Sequence, residues 1–116
     1  MKLLDRLTTC IKKVYFIYNN SNAFVFEYDE VKSKVNLTKH GIDFVVAKKL
    51  WDDDDAMEID LNTEGEPRFL HVGKISETLY SAVCTLRKDR IRLISVRRAR
   101  KKEVLKYEEN KSRRTR

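Results

Sequence analysis

The hydrophobic and polar positions of this chain change their spacing about halfway along it. In the first half, the apolar and aromatic run at residues 24–28 predicts a short strand. Asp29 can cap a helix that follows and Gly41 can end it, so we predict a helix over residues 30–40. Apolar residues then recur with helical spacing from Phe44 to Trp51, which predicts a second helix over residues 43–51.

The second half alternates apolar and polar residues between short polar links. This spacing predicts strands over residues 57–61, 68–75, 79–86 and 90–96, and a basic helix over residues 97–109. The links at residues 76–78 and 88–89 are short enough for antiparallel hairpins. We therefore expect an α+β fold, in which an antiparallel β-sheet packs against two N-terminal helices and a basic C-terminal helix follows.

The first predicted helix gathers polar side chains on one side. Two amines, an amide and an imidazole lie along this stripe or at its edge: Lys32, Asn36, Lys39 and His40. Val31 and Val35 form an apolar stripe beside it, which we expect to face the core. A helix with one apolar face and one face rich in cationic groups is suited to contact an anion.

The first 22 residues stand apart from this compact pattern. Leucine, isoleucine and valine recur there at helical spacing, then a strand-like run precedes a turn or linker at residues 19–22. The segment could be an extra helix on the domain, a partner-binding segment or an extension from an upstream start codon. We divide the chain into an extension of unknown role (residues 1–22), one domain (residues 23–110) and a basic tail (residues 111–116).

Composition adds an uneven distribution of charge. The hydrophobic content of 41% is ordinary for a globular protein, and the net charge is +7. Residues 86–116 carry 14 Lys or Arg against 4 Asp or Glu, whereas the rest of the chain carries 11 against 14. The basic C-terminal quarter therefore indicates a polyanion or an acidic protein as the partner.

Other classes of protein are disfavoured by the sequence. Cys10 and Cys84 share no motif and no metal-ligand spacing, so we expect two free thiols and neither a disulfide nor a metal. Four consecutive aspartates at residues 52–55 are interpreted as a solvated loop, because they cannot all face one ion. No segment is long enough to cross a membrane, and charges interrupt the apolar N-terminus. We expect a cytoplasmic protein.

An ordered set of short motifs spans residues 24–109. They are Phe26-Glu-Tyr-Asp29, Lys32, Asn36, Lys39-His-Gly-Ile42, Trp51-Asp-Asp53, Glu64-Gly-Glu-Pro-Arg68, Arg90-Ile-Arg92 and Ser95-Val-Arg97-Arg-Ala99, with Glu103 and Tyr107 beyond them. In this order they resemble BrnT-type toxins of bacterial type II toxin–antitoxin systems. The resemblance implies a RelE-like fold and a ribonuclease that inhibits translation. It also implies a BrnA-like ribbon-helix-helix antitoxin, joined in a heterotetramer that binds its own operator DNA.

Cleavage of RNA without a metal or another cofactor requires proton transfer and stabilisation of negative charge on phosphorus. His40 is the candidate acid or base because imidazole titrates near neutral pH, although it could instead cap the end of its helix. We expect Lys39, Arg68 and Arg92 to act with it on the phosphate. Further contacts to RNA are predicted from Lys32, Asn36, Arg90, Arg97 and Arg98.

Two other functions remain open at this point. The chain could be a non-catalytic module that binds RNA or DNA, or an interaction protein for an acidic partner. Cys84 and Leu86 stand where the toxin family usually has a polar-aromatic residue and an acid, and Lys88 replaces its usual glycine. If that aromatic residue stacks on a base, catalysis by this chain would be weaker or differ in specificity. His71 is interpreted as structural.

Overall fold

The computed structural model describes residues 24–61 and 63–114. The elements of this part of the chain are β1 (Phe26–Glu27), α1 (Glu30–His40), α2 (Phe44–Ala47) with a following 3₁₀ helix (Lys48–Asp52), β2 (Met57–Asp60), β3 (Phe69–Ile75), β4 (Thr78–Arg87), β5 (Arg90–Arg98) and α3 (Lys101–Arg114). The helical and strand-like segments predicted within residues 1–22 lie outside the described residues. The predicted α+β class is confirmed.

The five described strands form one sheet in the order β1-β5-β4-β3-β2. Three pairs are antiparallel, β2–β3, β3–β4 and β4–β5, and the short links predict the last two of them. Strand β1 is parallel to β5, with Phe26 opposite Ile91 and Glu27 opposite Arg92. The sheet is therefore mixed. A parallel pair is possible here because most of the domain, and not a hairpin, connects β1 to β5.

Helix α2 and the 3₁₀ helix cover one face of the sheet and form the main core. Their apolar positions Phe44, Ala47, Leu50 and Trp51 are buried, as their spacing predicts. The predicted second helix changes to 3₁₀ geometry at Lys48. These residues pack against the side chains of β3, β4 and β5 that point towards the helical layer.

His71 links this helical layer to the sheet. Its ring stacks on Trp51, with centroids 3.9 Å apart and planes 7° from parallel. Its Nδ1 lies 2.6 Å from a carboxylate oxygen of Glu58, and its Nε2 lies 3.1 Å from the carbonyl oxygen of Leu50. A Cβ added at Gly73 would come within 2.9 Å of that same carbonyl oxygen, so the layers meet closely. The interpretation of His71 as a structural residue is confirmed.

Helix α1 has the predicted ends but not the predicted inner face. The carboxylate of Asp29 accepts hydrogen bonds from the N–H groups of Val31 (2.8 Å) and Lys32 (3.2 Å). Gly41 ends the helix with φ of 75°, a conformation that glycine adopts without strain. However, Val31 and Val35 are 68% and 46% exposed, so the prediction that they face the core is wrong.

Polar residues occupy the buried side of α1 instead. Asn36 donates to the carbonyl oxygens of Ile42 and Val96, both at 2.8 Å, and accepts from the N–H of Val96 at 3.1 Å. Ser33 accepts a hydrogen bond from the N–H of Phe44 at 2.9 Å. These bonds orient the helix, because burying the valines would leave the buried polar groups without partners.

Helix α3 covers part of the opposite face of the sheet. Its Tyr107 is buried against Leu70 and Val72. The helix begins at Lys101, later than predicted, because Arg97 and Arg98 still belong to β5. It continues to Arg114, so the prediction that the helix ends at residue 109 is wrong; residues 115–116 lie outside the described residues.

The acidic run after the 3₁₀ helix holds α3 in place. Asp53 accepts hydrogen bonds from the Tyr107 hydroxyl (2.7 Å) and the N–H of Lys74 (2.9 Å). Burial alone would raise the pKa of Asp53, but these hydrogen bonds outweigh it and lower the pKa. Asn110 donates to the Asp55 carbonyl oxygen (3.3 Å), and Arg114 bonds the Asp55 carboxylate (3.2 Å). The interpretation of this run as a solvated loop is therefore wrong for Asp53 and Asp55.

Candidate nucleic-acid interface

The half of the sheet face that α3 leaves uncovered carries arginines. Arg92 points to this side because its neighbours Ile91 and Leu93 point into the core beneath the helical layer. Arg87 and Arg90 are paired across the β4–β5 hairpin, in register with the pair of Thr85 and Arg92. We use the term arginine face for the surface formed by Arg68, Arg87, Arg90 and Arg92.

Arg92 is held in position by an acid on the neighbouring strand. Its Nη1 donates to a carboxylate oxygen of Glu27 at 2.9 Å, and the two residues are opposite each other in the β1–β5 pair. Each of these side chains is 27% exposed. The guanidinium has further N–H donors, so a half-buried, oriented cation remains able to bind a phosphate.

Arg87 and Glu66 form a second ion pair on the arginine face. Arg87 donates from Nε (2.9 Å) and Nη2 (3.2 Å) to the two carboxylate oxygens of Glu66. The pKa of Glu66 is lowered first by these hydrogen bonds, against a smaller effect of burial, and further by Arg87, Arg68 and Arg92. The last two attractions place Arg68 and Arg92 in the same electrostatic cluster.

The segment that carries Arg68 is fixed to the sheet. The hydroxyl of Thr85 donates to the carbonyl oxygen of Pro67 at 2.6 Å, and Thr85 is fully buried. Pro67 directly precedes Arg68, so this bond holds the Arg68 backbone beside β4. Local order of this kind limits the conformational entropy that a cation loses when it binds a ligand.

A cavity opens at the hairpin end of the arginine face. Its volume is about 330 Å³, and it is bounded by Glu27, Arg87, Lys88 and Arg90. Lys88 lies in the hairpin turn with φ of 56°, the left-handed region that favours glycine. Three cations and one carboxylate around a hollow of this size match the requirements of a phosphate group with an adjoining sugar or base.

The structure separates the predicted site residues into groups. Arg68, Arg90 and Arg92 lie together on the arginine face. Lys32, Lys39 and His40 are exposed on α1, which packs on the other side of the sheet. Asn36 is only 5% exposed, and its amide is used in the hydrogen bonds that hold α1 to β5.

Arg97 and Arg98 lie at the far end of β5 from the hairpin. Arg97 donates two hydrogen bonds, of 2.8 and 2.9 Å, to the carboxylate of Glu103 on α3. That carboxylate also accepts from the Ser81 hydroxyl at 2.7 Å and the Arg100 N–H at 2.8 Å. The pKa of Glu103 is lowered to about 2, chiefly by the hydrogen bonds from Arg97. Arg97 thus joins α3 to the sheet, while Arg98 is exposed.

Sequence reasoning missed the role of Arg87 and did not identify the partner of Glu27. Arg87 could have been found, because it flanks a two-residue hairpin opposite Arg90 and must share its face. The contact between Glu27 and Arg92 gives no local signal, since it depends on a parallel pairing between residues 65 positions apart.

Three further observations concern features that the sequence disfavours: a metal site, a membrane span and a disulfide. Within residues 24–61 and 63–114, no three or more His, Cys, Asp or Glu side chains form a group that could hold a metal ion. In the same part of the chain, every helix is too short or too polar to span a membrane. Cys84 is a free, buried thiol whose pKa is raised well above its usual value by burial.

These features define a small α+β protein with an oriented cluster of arginines on the part of the sheet that α3 does not cover, which is the class of surface that binds polyanions. A family model described as the ribonuclease toxin, BrnT, of type II toxin–antitoxin systems matches residues 28–103. The match covers well over half of the chain, so the chain belongs to the BrnT toxin family. Membership implies RNA as the substrate and an antitoxin as a partner. No curated protein matches the chain.

Proposed function

We propose that this protein is an endoribonuclease toxin that cleaves RNA on the arginine face without a metal ion and thereby inhibits translation. The observation that supports this most directly is the arrangement of four arginines around two carboxylates on the part of the sheet that α3 does not cover. Family membership supports the reaction class, and the geometry of the arginine face supports its location.

The chemistry required is within reach of these residues. The 2′-oxygen of the RNA attacks phosphorus, the bond to the 5′-oxygen breaks, and a 2′,3′-cyclic phosphate and a 5′-hydroxyl result. Arg92 and Arg68 would stabilise the extra negative charge on the phosphate oxygens. Glu27 is the carboxylate next to Arg92 and would accept the proton of the 2′-hydroxyl, while water protonates the leaving oxygen.

His40 and Lys39 form a second candidate group in this proposal. They were predicted to act as acid or base and as phosphate ligand, and they lie on the helical side of the sheet together with Lys32. An RNA strand would have to pass around the β1 edge of the sheet to reach both groups. His40→Ala separates the alternatives: unchanged cleavage would leave the chemistry to the arginine face, whereas loss of cleavage in a folded variant would include α1.

The proposed cellular context follows from the family. We propose that the partner is a BrnA-like ribbon-helix-helix antitoxin, that the two proteins form a heterotetramer which binds its own operator DNA, and that the toxin acts in the cytoplasm. These proposals are supported by the antitoxin partner that family membership implies.

Arg92→Ala is the variant that tests the location of the site. We expect cleavage of a single-stranded RNA in EDTA-containing buffer to fall by about 10²-fold or more, since one preorganised stabilising group is removed. Lys49→Ala is the matched control, because it removes one exposed cation from the helical side of the sheet. Circular dichroism and thermal unfolding verify that both variants are folded.

Three outcomes would contradict parts of the proposal. Full cleavage by folded Arg92→Ala would remove the arginine face from catalysis. Loss of wild-type cleavage in EDTA, restored by a divalent metal, would contradict metal independence. RNA binding without cleavage by the wild-type protein would favour the non-catalytic binding module.

A further inference from the structure

Helix α1 is inverted relative to an ordinary surface helix. Its buried side is formed by Ser33 and Asn36, and its outward side presents Val31 and Val35. The two valines are four residues apart, so they lie one turn above the other and form one apolar strip. An amphipathic helix normally turns such a strip towards the core.

The helix cannot bury this strip by rotating. Asn36 makes three hydrogen bonds to the backbone of Ile42 and Val96 in a buried position, and rotation would break all three. Each buried polar group left without a partner costs about 1–3 kcal/mol. The outward position of the valines is therefore fixed by the fold of the domain.

The surroundings of the strip are basic and partly apolar. Three exposed lysines of the same helix flank the valines: Lys32, Lys34 and Lys39. On α2, which belongs to the same helical layer, Val45 and Val46 are also exposed. A partner that matches this surface must offer aliphatic side chains bordered by carboxylates.

We propose that the outward face of α1 is the docking surface for an acidic amphipathic segment of the antitoxin. The proposal rests on the proposed function only in so far as both use the antitoxin partner that the family implies. Charge favours this occupant over two others. A second copy of α1 would bring lysines against lysines, and residues 1–22 carry four Lys or Arg against one Asp.

The test is the affinity for the ribbon-helix-helix protein encoded beside this gene, measured by isothermal titration calorimetry. We expect the double variant Val31→Glu/Val35→Glu to bind at least 100-fold more weakly, because carboxylates would enter an apolar contact and meet acidic groups. Leu105→Glu is the matched control. Leu105 is 61% exposed on α3, so this variant makes the same kind of change on another helix and should bind normally.

A milder pair of substitutions keeps the test valid if the glutamates disturb folding. Val31→Ser/Val35→Ser removes the apolar strip without adding charge, and we expect a weaker but measurable loss of affinity. Lys34→Glu should also weaken binding, and it should make the affinity less dependent on salt.

Wild-type affinity in the folded double variants would overturn the proposal. So would either of two other results that identify a different occupant. If residues 1–22 cover the strip, the double variants will unfold at a lower temperature and still bind the antitoxin normally. If a second copy covers it, the free wild-type protein will be a dimer in light scattering and the double variants will be monomers.

Cleavage of RNA by the free variants separates this proposal from the proposed function. The double variants should cleave RNA as the wild-type protein does, because the strip and the arginine face lie on opposite sides of the sheet. Arg92→Ala should show the reverse pattern, with cleavage lost and antitoxin affinity kept. If the wild-type protein does not cleave RNA, the proposed function fails and the binding result can still be read.

Discussion

At the scale of single residues, Asn36 shows how a side chain suited to one role can serve another. An asparagine inside a helix carries a cost unless a partner compensates it, and this cost is visible in the sequence. The partner is the backbone of Val96, 60 residues away, which no local pattern can identify. The polar stripe predicted on α1 therefore includes a residue that the fold uses to join helix and sheet.

Replacing Asn36 should destabilise the protein substantially. We expect Asn36→Ala to lower the free energy of unfolding by about 2–4 kcal/mol, because the N–H and carbonyl oxygen of Val96 and the carbonyl oxygen of Ile42 lose their partner in a buried site. Equilibrium unfolding in urea measures this change.

Thr38→Ala on the same helix provides the comparison for that measurement. Thr38 is exposed, and we expect its replacement to change the free energy of unfolding by less than about 0.5 kcal/mol. A loss below about 1 kcal/mol for Asn36→Ala would show that the three hydrogen bonds contribute little to stability.

At the scale of elements, the sequence predicts where α1 begins and ends and where the hairpins turn. It predicts less well which elements pack against one another. Caps such as Asp29 and Gly41 act within a few residues, so their signal is local. The outward face of Val31 and Val35 is decided by hydrogen bonds to distant backbone groups and could not be predicted from helical spacing. The predicted site residues lie on two sides of the sheet for the same reason, because contacts between distant parts of the chain decide which side each element faces.

The attachment of α3 should depend on pH through Glu103. Its pKa is about 2 in the folded protein and near 4.5 otherwise, so the native state favours the ionised carboxylate. This stabilisation is complete above pH 4.5 and disappears as the pH falls through about 2. A shift of this size corresponds to about 3 kcal/mol for this largely buried pair.

Glu103→Gln tests that expectation. We expect the variant to be less stable than the wild-type protein at pH 7, and the difference to become small near pH 2, as measured by urea unfolding across the pH range. Glu108→Gln, at an exposed position of the same helix, should show no such convergence. An equal loss of stability at pH 7 and pH 2 would assign the effect to packing and not to the ion pair with Arg97.

At the scale of the whole molecule, positive charge is concentrated along α3 and on the part of the sheet that α3 does not cover. The sequence predicts this concentration in residues 86–116 and the joint action of Arg68 and Arg92, but not the pairing of Glu27 with Arg92 or of Glu66 with Arg87. Pairing each acid with an arginine orients the guanidinium groups and lowers the net charge of the arginine face. An oriented guanidinium can hold a phosphate in one position as well as attract it, as the proposed site requires.

The affinity for RNA should fall with salt in proportion to these contacts. For a single strand bound by the four arginines of the arginine face, the slope of log affinity against log salt should be about −3. Arg92→Ala should reduce the magnitude of this slope by about 0.7. Fluorescence anisotropy with an RNA whose 2′-hydroxyls are methylated measures binding without cleavage.

Lys49→Ala should leave the slope unchanged, since Lys49 lies on the helical side of the sheet. If Arg92→Ala and Lys49→Ala change the slope equally, binding would depend on net charge alone and the arginine face would have no special part in it.

The parallel pairing of β1 with β5 also determines when a newly made chain can complete its fold. Phe26 pairs with Ile91, and Asn36 binds Val96, so β1 and α1 depend on β5. When the ribosome has made residues 24–61, the strands β3, β4 and β5 on which these helices pack do not yet exist. The arginine face cannot assemble before β5 has been made, because Arg90 and Arg92 belong to that strand.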